Sequence, residues 1–98
     1  MQELGIRAFQ EMIRERYFAT DSARGVSGTF LWFAEEVGEL ASALGEAERK
    51  NRDDANLNEE FADVFAWLCT LANITGVDLT DAVEAKYLKD GGPAGTKS

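Results

Sequence analysis

A ten-residue pattern occurs twice in the chain and constrains its fold more than any other feature. The copies are Glu35-Glu36-Val37-Gly38-Glu39-Leu40-Ala41-Ser42-Ala43-Leu44 and Glu59-Glu60-Phe61-Ala62-Asp63-Val64-Phe65-Ala66-Trp67-Leu68, 24 residues apart. Each reads acid, acid, apolar, small, acid, apolar, and closes on Leu. At about 100° per helical residue, Val37, Leu40 and Leu44 fall at about 100°, 40° and 80° from Glu36. Glu39 falls at about −60°, one turn along. The same arithmetic places Phe61, Val64 and Leu68 on a stripe, with Glu60 and Asp63 in the positions of Glu36 and Glu39. The two stripes are expected to face the core and pack together. Glu36, Glu39, Glu60 and Asp63 then converge at one edge of their interface.

Four carboxylates at a half-buried edge repel one another. Either their pKa values rise or a cation sits among them. The chain has no His, so the donor set favours a hard ion, Mg²⁺ or Mn²⁺, over zinc. The alternative is two solvated acidic faces, the common fate of surface Glu.

Three- and four-residue apolar spacing predicts a helix from Gln2 to about Phe18, through Leu4, Ala8, Phe9, Met12, Ile13 and Tyr17. Ala19–Gly28 reads as a loop, being rich in Thr, Asp, Ser and Gly. A second helix is expected over Thr29–Arg49 and a third from Asn56 to Gly76, with Asn56 as cap and Gly76 as terminator. Asp78 caps a fourth that reaches about Asp90. No strand pattern appears. The expectation is all-α: one domain over residues 1–90, a small four-helix bundle, with a flexible tail at 91–98. One difficulty stands. A tight hairpin from Arg49 to Asn56 leaves the two acid pairs about 10 Å out of level at 1.5 Å per residue. Segment 50–56 must climb back, helix two must end early at Gly45, or the pairs meet another way.

The net charge of −8 argues against nucleic-acid polymers and anionic membranes as partners. No run is long enough for a membrane span and no signal-peptide pattern is present. The lone Cys69 reads as a small core or interface residue. A cytoplasmic location is expected. Phe9, Phe18, Phe30, Trp32, Phe33, Phe61, Phe65, Trp67 and Tyr87 are more aromatic surface than so short a chain hides easily, so a homodimer at least is expected.

Glu36-x-x-Glu39, twenty intervening residues, then Glu60-x-x-Asp63 resembles the signature of the MazG-like nucleoside triphosphate pyrophosphohydrolases, over about Phe30–Tyr87. The resemblance implies a Mg²⁺-dependent enzyme that cleaves a nucleoside triphosphate between the α and β phosphates. It also implies a helical dimer or dimer of dimers, and Glu36, Glu39, Glu60 and Asp63 as metal ligands. Glu35 is the candidate to accept a proton or hold a water, unless it is only a solvated neighbour. Trp32 and Trp67 flank the acids and either stack a base or fill core or interface. Lys86 and Tyr87 resemble a pair found in relatives, where the Lys reaches phosphate; Arg49, Lys50 and Arg52 form a second basic cluster. Two other functions stay open: a phosphoribosyl-ATP pyrophosphohydrolase, and a non-enzymatic helical interaction module.

Overall fold

Residues 3–89 are described by the computed structural model, and every regular element among them is helical. Helix α1 spans Ile6–Glu48, α2 Asp54–Thr75 and α3 Leu79–Val83, followed by one π-helical turn at Glu84–Leu88. The expected loop at 19–28 is almost absent. It shrinks to Gly25, the one residue of α1 with non-helical backbone (φ 81°, ψ 175°). That region is open essentially to glycine alone. Gly25 divides α1 into two arms, residues 6–24 and 26–48, so the expected four helices appear as three, the first of them bent.

Arg24 holds the bend. Its guanidinium donates to Asp21 Oδ1 and to Thr29 Oγ1, both at 3.1 Å, one partner on each side of Gly25. It also lies 5.1 Å from the centre of the Trp67 ring on α2. Asp21 and Thr29 are buried, so these bonds are made where water competes little. The Thr, Asp and Ser that read as a loop are therefore helical because three elements share one cation.

Both arms pack on α2. The first meets its C-terminal half, where Phe9 stacks on Phe65 at 5.6 Å. There the buried amides of Gln10 and Asn73 satisfy each other. Gln10 Nε2 donates to Asn73 Oδ1 and to the carbonyl of Val77, and its Oε1 accepts from the Leu79 amide. Arg7 closes the same corner on Asp78 and Asp81. Asp78 caps α3 by accepting from the Asp81 amide at 2.9 Å, and Gly76 ends α2 with φ 76°, as expected. The buried apolar core is small: Ile13, Ala43, Leu57, Cys69 and Ala72.

The end of α1 lies within a residue of the expected Arg49 and the start of α2 differs, and the actual boundaries remove about half of the level problem. Asp53, not Asn56, caps α2, accepting from the Asn56 amide at 3.1 Å. Gly45 lies inside α1, which runs on to Glu48. Measured from the helix ends at the hairpin, Glu39 and Asp63 are then each about 13.5 Å along, and the mean offset of the pairs falls to about 4.5 Å. Lys50 turns the chain after α1 with φ 67°. The Lys50 and Asn51 amides donate back to Ala47 and Glu46, the two bonds of a Schellman ending without its usual glycine.

The larger correction concerns the faces. Val37, Leu44, Phe61 and Leu68, expected in the core, are exposed, while Leu40 and Val64 are half-buried. Besides Gly28 and Gly45, the shielded positions of the second arm are Thr29, Phe33, Glu36, Leu40, Ala43 and Ala47, a three-and-four alternation that defines one packed face. On α2 the shielded line runs Leu57, Glu60, Val64, Trp67 and Thr70. Glu36 and Glu60 lie within the helix–helix seam rather than at its edge, whereas Glu39 is exposed, and the stripe beside the seam is bare. The tail at 91–98 and the expected end of the last helix at Asp90 lie outside the described residues.

Candidate metal centre

Glu36 lies on α1 between Phe33 and Leu40, and Glu60 on α2 between Leu57 and Val64, so the packing that shields their apolar neighbours shields them too. One carboxylate oxygen from each of Glu36, Glu60 and Asp63 lies within 4.8 Å of the other two. Glu39 is exposed on the adjoining turn, and its charge acts on both Glu36 and Glu60. Loss of solvent, then the charges of Glu39, Asp63 and Glu60, push the Glu36 carboxyl above its ordinary range. The same causes in the same order, desolvation and then Glu39 and Asp63, raise Glu60.

Among the described residues no ion pair offsets this crowding. The ion pairs of Arg7, Arg24, Arg49 and Arg52 are all made elsewhere, with Asp78 and Asp81, Asp21, Glu46 and Asp54. Glu36 Oε2 and Glu60 Oε2 are buried and accept no hydrogen bond. A buried carboxylate oxygen without a donor is costly. The three oxygens span a volume matched to one hard cation, whose opposite octahedral ligands stand about 4.2 Å apart at about 2.1 Å from the ion. The residues therefore fit a Mg²⁺-like ion by donor type, spacing and unmet acceptors.

The other anticipated residues fall into two groups. Trp32 and Trp67 stack across the seam, with ring centres 6.3 Å apart and planes 13° from parallel. Trp67 stands one turn after Asp63, and Trp32 one turn before Glu36. Glu35 is exposed and outside the carboxylate trio. Lys86 and Tyr87 are exposed on the π turn, where the ammonium lies 5.6 Å from its neighbour's ring. That turn packs chiefly on α3, and the described structure shows no bond from either residue to the acids.

Asp21 and Arg24 were hidden by the expected loop. With Tyr17, Thr20, Trp67 and Thr70 they line a cleft of about 380 Å³ between the first arm and α2. Their i, i+3 spacing is the one sequence signal that pointed to a helical ion pair.

Fold and site together define an all-helical protein with a half-buried cluster of carboxylates in its helix–helix seam. A family model described as the MazG nucleotide pyrophosphohydrolase domain matches residues 24–89. The chain belongs to that family, whose domain acts on a nucleotide as an acid-anhydride hydrolase and is generally metal-dependent. Comparison with curated proteins finds no match.

Proposed function

We propose that the protein is a Mg²⁺-dependent nucleoside triphosphate pyrophosphohydrolase that cleaves between the α and β phosphates, releasing a nucleoside monophosphate and pyrophosphate. One observation carries this reading: two buried carboxylate oxygens, on Glu36 and Glu60, lack any donor inside a cluster of three acids, Glu36, Glu60 and Asp63, that makes no ion pair among the described residues. Glu36, Glu39, Glu60 and Asp63 hold the ion, with Mn²⁺ able to substitute. A bound divalent ion neutralises phosphate charge and lowers the pKa of a water. Glu35, exposed one residue before the first ligand, accepts the proton of the attacking water. Trp32 and Trp67 form an apolar wall one turn from the acids, and Lys86 and Tyr87 are the phosphate contacts supplied by the π turn.

The working unit is a homodimer or a dimer of dimers. The bare stripe supports this. Phe30, Val37 and Leu44 recur every seven residues on α1, with Phe61, Phe65 and Leu68 beside them on α2, all exposed. So large an apolar face on a small domain marks an interface. No single helix among the described residues is long and apolar enough to cross a membrane.

A screen of all nucleoside triphosphates with Mg²⁺, reading pyrophosphate and monophosphate together, tests the reaction. Asp63→Ala and Glu39→Ala are expected to abolish turnover while keeping the helical circular-dichroism spectrum. Release of inorganic phosphate alone, or full activity in either variant, would refute the reading.

A further inference from the structure

The proposed reaction uses only Trp67 of the cleft between the first arm and α2, and the cleft holds an unsatisfied group. Asp21 is 4% exposed. Its Oδ1 accepts from Arg24 at 3.1 Å, whereas its Oδ2 is buried and has no partner. A buried carboxylate can only accept, so the unmet requirement is a donor. At about 380 Å³ the cleft is in the size range of small-molecule sites, about 300–1,000 Å³. A second cleft, near Arg7, measures about 210 Å³, and its Arg7, Gln10, Asn73 and Asp78 already bond one another.

Position says what the donor belongs to. Trp67 lines the cleft, and Asp63 lies one helical turn before it on α2, about 6 Å along the axis. A nucleotide with its phosphates at the acids thus extends its base along α2 toward Trp67 and Asp21. Stacking on an aromatic side chain tolerates any base; a lone buried acceptor does not. Guanine, adenine and cytosine each carry an exocyclic amino group, while uracil offers one N–H between two carbonyl oxygens that a carboxylate repels.

We propose that the Asp21–Trp67 cleft is the base subsite and that Asp21 Oδ2 selects nucleotides whose base presents an amino group, against uracil and thymine. This rests on the pyrophosphohydrolase reading for its substrate, yet the selecting residue lies outside the matched stretch 24–89. Arg24 is the positioning residue: it fixes Oδ1 and leaves Oδ2 unpaired. Its stem lies where a Cβ on Gly28 would stand, at 2.9 Å, so the glycine gives the arginine its path.

The test compares GTP, ATP, CTP and UTP in the wild type and in Asp21→Asn, by pyrophosphate release with Mg²⁺. Asparagine keeps an oxygen for Arg24 and sets an amide donor in place of Oδ2. The expected result is a fall of about 10- to 100-fold in the preference, as kcat/KM, for amino-bearing bases over UTP, the scale of one reversed base contact, with Mn²⁺ affinity unchanged. An equal loss on all four substrates makes Asp21 a structural residue and overturns the proposal while leaving the hydrolase reading intact. Absence of pyrophosphate release from every substrate defeats the hydrolase reading instead. The subsite is then read without turnover or variant, from tryptophan fluorescence of the wild type, since Trp32 and Trp67 are its only tryptophans. Guanosine monophosphate is expected to quench saturably, at least about 10-fold more tightly than uridine monophosphate. Equal quenching by the two, or none by either, overturns the proposal.

Discussion

Glu36 and Glu60 carry a conflict between stability and use. Each is held above the ordinary carboxylate value of 4.5, first by desolvation and then by its acidic neighbours. An acid whose pKa is raised by folding contributes stability below its unfolded pKa and loses it as pH rises through the raised value. Metal-free protein should therefore melt at a lower temperature at pH 7 than near pH 5. Asp78 works the other way: the Asp81 amide and then Arg7 lower it from 3.8, so its contribution is lost only in stronger acid. Saturating Mg²⁺ should flatten the profile above pH 5, since it stabilises the ionised cluster. Thermal melts across that range, with and without the ion, check this. Glu36→Gln should raise the metal-free melting temperature and cut metal-dependent turnover by at least about 100-fold, because a ligand is lost. A lower metal-free melting temperature in this variant would contradict the assignment of strain to the cluster.

At the scale of elements, two backbone positions decide how the helices meet. Gly25 places two arms on one α2, and nothing lies within 4 Å of the place a Cβ would take. Its φ alone forbids a side chain. Gly25→Ala should cost about 1–3 kcal/mol in chemical denaturation, the range for a non-glycine residue in that region. Lys50 is the opposite case. Lys50→Gly relieves a left-handed backbone and should stabilise by up to about 1 kcal/mol, with no change in activity. The end of α2 and the start of α3 were legible, because Gly76 and Asp78 do by local chemistry what their types suggest. The continuity of α1 through Thr20, Asp21 and Ser22 was not, since it depends on Arg24 reaching Trp67, 43 positions away in sequence.

Across the whole molecule, the paired acids announced themselves and the buried face did not. Helix arithmetic on the two copies of the pattern anticipated that the carboxylates approach one another. It also put Val37 and Phe61 inside, because acids read as surface and apolar residues as core. Here the packed seam is the one that carries Glu36 and Glu60, and the more apolar stripe is left outside. A site that buries charge breaks the pattern from which burial is read. That bare stripe motivates the assembly prediction. Sedimentation at micromolar concentration should show a dimer or larger species, and Leu44→Glu should shift it toward monomer while the helical content stays. A monodisperse wild-type monomer would remove the interface.

The most direct measurement is calorimetric titration of the metal-free protein with Mn²⁺ at pH 7. Saturable binding that Glu60→Gln weakens at least about 100-fold is the predicted result. No saturable binding, or binding that Glu60→Gln leaves unchanged, would contradict it.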